Sequence, residues 1–204
     1  MHPALLTLLV GMLYLVGFGA LSVMRHEGLS NRFLAEGSVI TAAGSALAFV
    51  VPSLHPALFF VALYLATMRV RLLTDLGNLF TNRQDYDRAL AIFRLALRLW
   101  PDGVGRRIVL INRGVAYLRK QDFEAAYQTL NEALSGVQER PGAKYLAAGY
   151  YNLGLACRQT HREAEAVRRF NEAIDTLPFS IYARGAEQAL KKGHSTFEKG
   201  DEHG

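Results

Sequence analysis

Hydrophobic residues follow two regimes along the chain. Up to residue 68 they come in long unbroken runs, and beyond it they recur every three or four positions between charged residues. Runs of that length are helical rather than extended, and the later recurrence has the period of one-sided helices, so the pattern predicts an all-α chain. The first run, residues 3–24, holds no charge. Its length is what a helix rising about 1.5 Å per residue needs to cross a roughly 30 Å hydrocarbon core. A cleaved signal peptide is the competing reading. No Lys or Arg precedes the run, and it exceeds the usual signal core of about 7–15 residues, so a retained span is expected.

The next run, residues 39–68, carries VPSLHP near its middle. Either one long helix kinks at Pro52 and Pro56, or two spans, 33–51 and 56–73, meet at a tight turn over Ser53, Leu54 and His55. Pro56 suits a first helical turn, and each proline disfavours helix in the residue before it, Val51 and His55; the hairpin fits this chemistry better. Charge agrees, because Lys and Arg in short flanks stay on the cytoplasmic side. Only three spans put Arg25 and Arg32 on the same side as Arg69 and Arg71. The transmembrane region is then 1–69, with the amino terminus and the 53–55 turn outside, Glu36 at the interface and everything after Arg71 inside. The small-residue patch TAAGSALA, residues 41–48, is expected to pack these helices on one another rather than on a partner. No span carries a charge at its centre, which removes the usual mark of an ion path or proton relay.

Charge sharpens the division. Of 23 Lys and Arg only four precede Leu72, and of 18 Asp and Glu only two, so residues 72–204 carry a mixed, nearly balanced surface. Such a surface has no basic stripe for nucleic acid, and none is expected as a partner. Cys157 is the single cysteine, which excludes an intramolecular disulfide and a cysteine metal site. Catalytic patterns are poor. HREAE, residues 161–165, lacks the second histidine of a zinc-protease helix, and GVG at Gly103 has neither a preceding strand nor the full glycine pattern for phosphates. His194 and His203 lie in a polar tail, and Cys157 falls on the buried face of a helix. The chain is therefore read as a non-enzyme with no cofactor and no metal.

The second regime repeats itself. Aligned on a glycine, LTDLGNLF...YDRALAIFRLALRLWP from Leu73, LINRGVAYL...FEAAYQTLNEAL from Leu110 and YYNLGLAC...EAEAVRRFNEAI from Tyr150 are each a pair of amphipathic helices. Gly77, Gly114 and Gly154 remove a side chain where the paired helices come closest. Ala89, Ala126 and Ala166 do so from the second helix, and Ala96, Ala133 and Ala173 keep the contact to the next pair thin. Phe80, Tyr117, Phe93, Leu130 and Phe170 fill the space between, while Pro101 and Pro178 end second helices.

On these residues the chain resembles the tetratricopeptide repeat family, a solenoid of antiparallel helix pairs of about 34 residues. The resemblance implies repeats over about 70–103, 107–140 and 147–180. A helix over 181–193 would cap the last open face, as a solenoid needs, and 194–204 is expected to fray. The departures are in spacing: the glycines are 37 and 40 residues apart, the surplus lengthening helices or the turns at PDGVG and ERPGAK. In the second repeat Arg113 replaces an aliphatic residue, and the closing proline is displaced to Pro141. The third span is expected to run directly into the first repeat helix, holding the solenoid near the membrane in a restricted orientation.

The resemblance further implies that the first helix of each pair lines a concave groove. By that alignment the groove shows Arg71, Thr74, Asn78 and Asn82 from the first repeat, Ile111, Asn112, Val115 and Arg119 from the second, and Tyr151, Asn152, Leu155 and Arg158 from the third. Family members that grip a terminal carboxylate use two asparagines with lysines and an arginine. Asn78 and Asn112 match, but Thr74 stands for the first lysine, and Ala148 and Asn152 take two basic places, so a chaperone-tail clamp is not expected. The expectation is a membrane-anchored adaptor on the cytoplasmic face, binding a protein or peptide partner and aiding complex assembly. The alternative is a structural subunit of a larger membrane complex, with the membrane helices as its interaction element.

Overall fold

The computed structural model describes residues 2–24, 31–51, 53, 55–136 and 141–201, and the side chains of all of these except 22–24 and 193–201. Every element among the described residues is an α-helix: α1 (Pro3–Met24), α2 (Asn31–Val50), α3 (Pro56–Asn82), α4 (Tyr86–Arg98), α5 (Gly103–Arg119), α6 (Phe123–Leu134), α7 (Ala143–Gln159), α8 (Glu163–Thr176) and α9 (Ile181–Asp201). The chain divides into two compact units, Met1–Leu72 and Leu73–Gly204. α3 runs unbroken through the division as one helix of 27 residues.

Among the described residues three helices, α1, α2 and α3, are long and apolar enough to cross a membrane. The run over 39–68 folds as two helices rather than one kinked helix, with Pro56 opening α3 in the position where a missing N–H costs nothing. Pro52 and Leu54 of the expected turn, and Arg25 of the preceding loop, lie outside the described residues.

In the first unit, small residues set the packing. A Cβ on Gly11 would overlap Thr41, one on Gly44 would overlap the Phe59 ring, and one on Gly37 would come within 2.5 Å of Leu15. Ser45 Oγ donates to the Ala4 carbonyl at 3.0 Å, tying α2 to α1. Thr41, Gly44, Ser45 and Ala48 of the 41–48 patch are thus used in packing within the unit, while Ala42, Ala43, Ala46 and Leu47 stay exposed. Tyr14, Leu15, Phe59 and Leu63 form the buried centre, and the Tyr14 hydroxyl shares a 2.5 Å hydrogen bond with Thr67. Glu36 has a partner that the sequence did not reveal: Arg69 of α3 grips it with two hydrogen bonds of 2.7 and 3.1 Å, and Arg32 adds a third of 2.7 Å. The outside of this unit is apolar as well as its centre. Leu13, Val39, Phe49, Val50 and Leu58 are between 64 and 77 % exposed, while Thr7 and Thr41 are buried.

In the second unit, the last part of α3 and α4, α5 and α6, and α7 and α8 form three antiparallel pairs. Each pair closes on its glycine: a Cβ would come within 2.5 Å of Phe93 at Gly77 and 2.6 Å of Phe170 at Gly154, and would overlap Leu130 at Gly114. Ala89, Ala96, Ala126, Ala133, Ala166 and Ala173 are all 0–1 % exposed, which lets neighbouring backbones approach. Tyr117 packs partly buried against the same core.

Within each repeat the turn has the same backbone grammar. Gln84, Gln121 and His161 take left-handed φ values of 64°, 66° and 60° just past the first helix. The next amide then reaches back five residues to a helix carbonyl, as Asp85 to Phe80, Asp122 to Tyr117 and Arg162 to Cys157. Asp85 and Asp122 also cap the second helix through their carboxylates. Arg162 does not cap, and its guanidinium instead binds Glu124 of the preceding repeat at 3.1 and 3.2 Å and lies over the Tyr127 ring.

Two boundaries differ from the expected ones for a physical reason. α5 begins at Gly103 and α7 at Ala143, four residues before the expected starts. The surplus residues therefore form an extra amino-terminal turn on each first helix. At α5 the carboxylate of Asp102 caps that turn by accepting from the Gly105 amide at 2.7 Å, which draws PDGVG into the helix. In ERPGAK, Pro141 and Gly142 precede α7, while Glu139 and Arg140 lie outside the described residues. Arg113 is accommodated by its neighbour one turn on, with its Nη2 donating to the Tyr117 hydroxyl at 3.1 Å. At the carboxyl end α9 covers the third repeat with buried Ala183, Ala186 and Ala189. It continues as helix to Asp201, where a frayed tail from residue 194 was expected; His203 lies outside the described residues.

Candidate functional site

The first helices of the three repeats line a cleft of 680 Å³ in the second unit. α3 supplies Asn78, Thr81 and Asn82; α5 supplies Ile111, Asn112, Val115, Leu118 and Arg119; α7 supplies Lys144, Tyr145, Ala148, Tyr151, Asn152, Leu155 and Gln159. Phe123 of α6 and Tyr182 of α9 close its sides. Positions on α7 recur at intervals of three and four, which is one stripe of a helix.

Nine of the residues expected from the sequence meet here: Asn78, Asn82, Ile111, Asn112, Val115, Arg119, Tyr151, Asn152 and Leu155. Three are placed elsewhere. Arg71 belongs to the first unit, and Thr74 is buried at 5 % exposure. Arg158 points the other way: its Nη2 donates to the Ala189 carbonyl of α9 at 2.8 Å and its guanidinium lies 5.1 Å from the Phe170 ring centre. The reason is helical register. Arg158 stands one turn beyond Gly154, on the stripe that meets α8, whereas Gln159 is the true counterpart of Arg119, as far past Gly154 as Arg119 is past Gly114.

Sequence reasoning missed Lys144 and Tyr145 because they ride on the extra turn of α7. The 40-residue interval from Gly114 to Gly154 was the signal that such a turn existed. Tyr182 comes from the capping helix, which repeat alignment does not reach.

The polar groups are partly committed. Asn112 and Asn152 donate their amide nitrogens to the carbonyls one turn back, Ile108 at 2.8 Å and Ala148 at 2.7 Å. That use holds each side chain against its own helix. Arg119 Nη1 donates to Asn82 Oδ1 at 2.8 Å, bridging the first and second repeats across the floor. The described lining contains two cations, Arg119 and Lys144, four aromatic rings and no carboxylate. Such a surface suits an extended segment with apolar and hydrogen-bonding groups, and it disfavours a basic one.

The faces between repeats are held by charge-assisted contacts rather than by more cleft groups. Burial alone would push the Glu165 carboxyl up, but hydrogen bonds from Arg169 at 3.0 Å and from the Tyr127 hydroxyl at 3.1 Å hold it below the ordinary range. The hydrogen bonds from Arg162 likewise hold Glu124 low, on an exposed surface where solvent screens such a pair. Cys157 takes no part in the cleft. It is fully buried, and burial first, then the nearby Glu165 charge, pushes its thiol up to about 11. At neutral pH the native protein is therefore expected to resist thiol-specific reagents and to react only on unfolding. Rapid labelling of the folded chain would contradict that placement.

The geometry of glycine-centred pairs, thin alanine contacts and a groove of first helices now meets its comparison. Residues 68–139 and 105–178 each match the family model described as tetratricopeptide repeat. Together the matches span more than half of the chain, which belongs to the tetratricopeptide repeat family. The chain is similar to Kinesin light chain-related 3 of Arabidopsis thaliana, with 25 % identity over 107 residues. That match takes in 50 % of this chain and 16 % of the relative, so the chain aligns with only about a sixth of that protein's length. The repeats make the second unit a protein-interaction scaffold.

Proposed function

We propose that this chain is a membrane-anchored adaptor whose tetratricopeptide cleft holds an extended segment of a protein partner at the cytoplasmic face, in a non-catalytic role that aids assembly of a membrane complex. The observation that carries the reading is the contrast between the surfaces of the two units. The first exposes a wide apolar surface, with Leu13, Val39, Phe49, Val50 and Leu58 turned outward, unlike the surface of a water-facing protein. The second buries its apolar faces and presents a cleft with polar groups at its walls. Arg32, Arg69 and Arg71 flank the apolar helices on the side where the repeats follow, which supports a cytoplasmic orientation. The subunit reading, with the membrane helices as the interaction element, loses ground because Gly11, Gly44 and Ser45 are already occupied within the unit.

The test is cross-linking with mass spectrometry in native membranes, comparing the natural protein with an Asn78→Ala/Asn112→Ala/Arg119→Ala variant. None of the three side chains fills the core, so the variant is expected to fold and to lose its principal partner. Retention of every partner, with cross-links mapping to residues 1–68, would move function to the apolar helices and refute the cleft.

A further inference from the structure

We propose that one edge of the repeat unit, the one at which Leu73 enters it, rests in the interfacial layer of a bilayer through Trp100, Phe179 and Ile181. This rests on the reading of α1–α3 as spans.

Antiparallel pairing sorts the loops of the unit into two edges. The turns within repeats, residues 83–85, 120–122 and 160–162, form one edge and contain no apolar residue at all. The described connections between repeats, residues 99–102 and 177–180, with the amino-terminal ends of the first helices, form the other. On that edge Trp100 is 77 % exposed, Phe179 92 % and Ile181 68 %, the three most exposed large apolar side chains described in the unit.

The two aromatic corners are also held in an unusual way. Trp100 and Phe179 take φ values of 47° and 63°, a left-handed conformation that bulky residues rarely adopt and that glycine would accept at lower cost. A soluble solenoid has no need to keep aromatic rings there. Tryptophan and phenylalanine beside arginine are, however, the side chains that a membrane interface accommodates, the rings at headgroup depth and the cations against anionic lipid. Exposed Arg98 and Arg184 flank the two corners, and the carboxylate of Asp102 is turned inward as the cap of α5. Asp175 is an exposed acid nearby, and exposed Glu132 at the end of α6 is paired with Arg106 at 2.7 Å. The occupant that fits is a lipid surface, because the chain reaches this edge directly from an apolar helix: Leu72 ends the first unit and Leu73 begins the second, with no linker between them.

Trp100 is the only tryptophan, so its fluorescence reads the proposal without any mutation. The full chain is reconstituted into phosphatidylcholine/phosphatidylglycerol vesicles, and integral insertion is checked first by flotation after alkaline extraction. Trp100 is then expected to emit at shorter wavelength than a water-exposed indole. It should lose emission to lipids brominated near the headgroup end of the acyl chain, and it should be shielded from aqueous iodide. A Trp100→Phe/Phe179→Trp variant moves the probe to the second corner and is expected to behave alike. Integral insertion with Trp100 open to iodide and untouched by bromolipid would overturn this proposal and leave the anchor standing. Release of the chain by alkaline extraction would overturn the anchor and this proposal with it.

Discussion

Replacing Phe170 with alanine is expected to lower the stability of the repeat unit by about 3–5 kcal/mol, the range for removing a fully buried aromatic side chain. Phe170 is 0 % exposed and sits where three elements converge. Its ring fills the space left by Gly154 on α7, lies 6.1 Å from the Tyr151 ring and supports the Arg158 guanidinium that reaches α9. Alanine would leave a cavity that these neighbours cannot close, because Gly154 has no side chain to follow it. Repeat proteins are held mainly by contacts between neighbouring repeats, so the damage should remain local. Hydrogen exchange of the full chain in detergent should show faster exchange across α7, α8 and α9, with α5 much less affected. Urea unfolding followed by circular dichroism gives the magnitude. A loss below about 1 kcal/mol would mean that the ring is not the keystone of the third repeat.

The second large effect is expected from Gly44→Val in the first unit. A side chain there would overlap the Phe59 ring, which is only 6 % exposed and cannot swing clear without leaving the centre formed with Tyr14 and Leu63. Overpacking of this kind costs about 1–3 kcal/mol in a water-soluble core. Among helices that lie in lipid or detergent the consequence is larger in proportion, because close packing and a few polar contacts supply most of the association. Thermal unfolding in detergent should drop clearly for Gly44→Val. The double variant with Phe59→Ala should be less damaged than the sum of the two single changes, since the alanine makes room for the valine. Strict additivity would show that α2 and α3 do not meet at this point.

The repeat grammar was readable because it is local. Glycine and alanine at fixed intervals report close approaches that any antiparallel pair must make, and Gly77, Gly114 and Gly154 all meet the bulky residue of the paired helix that the pattern assigned. The lining was readable to the extent that it follows from the same register, which brings Asn112, Val115, Tyr151 and Leu155 to the cleft. It differs at Arg158, where a slip of one position turns a side chain by about 100° around the helix and sends it from the groove toward α8 and α9. It also missed Lys144 and Tyr145, because the length of a repeat tells that residues are added and not which element takes them.

What the sequence by itself determined is the class and order of the parts: three apolar helices, then three helix pairs and a cap. These follow from run length and periodicity, properties of single helices that need no partner. The tertiary structure alone decided which charges and faces meet. Glu36 and Arg69 are 33 residues apart in sequence and become one bidentate pair, and Arg119 finds Asn82 across 37. Side-chain pairing between helices depends on rotation about each axis and on which turn faces which. A few tenths of a turn, invisible in composition and spacing, settle whether a residue binds, braces or faces water.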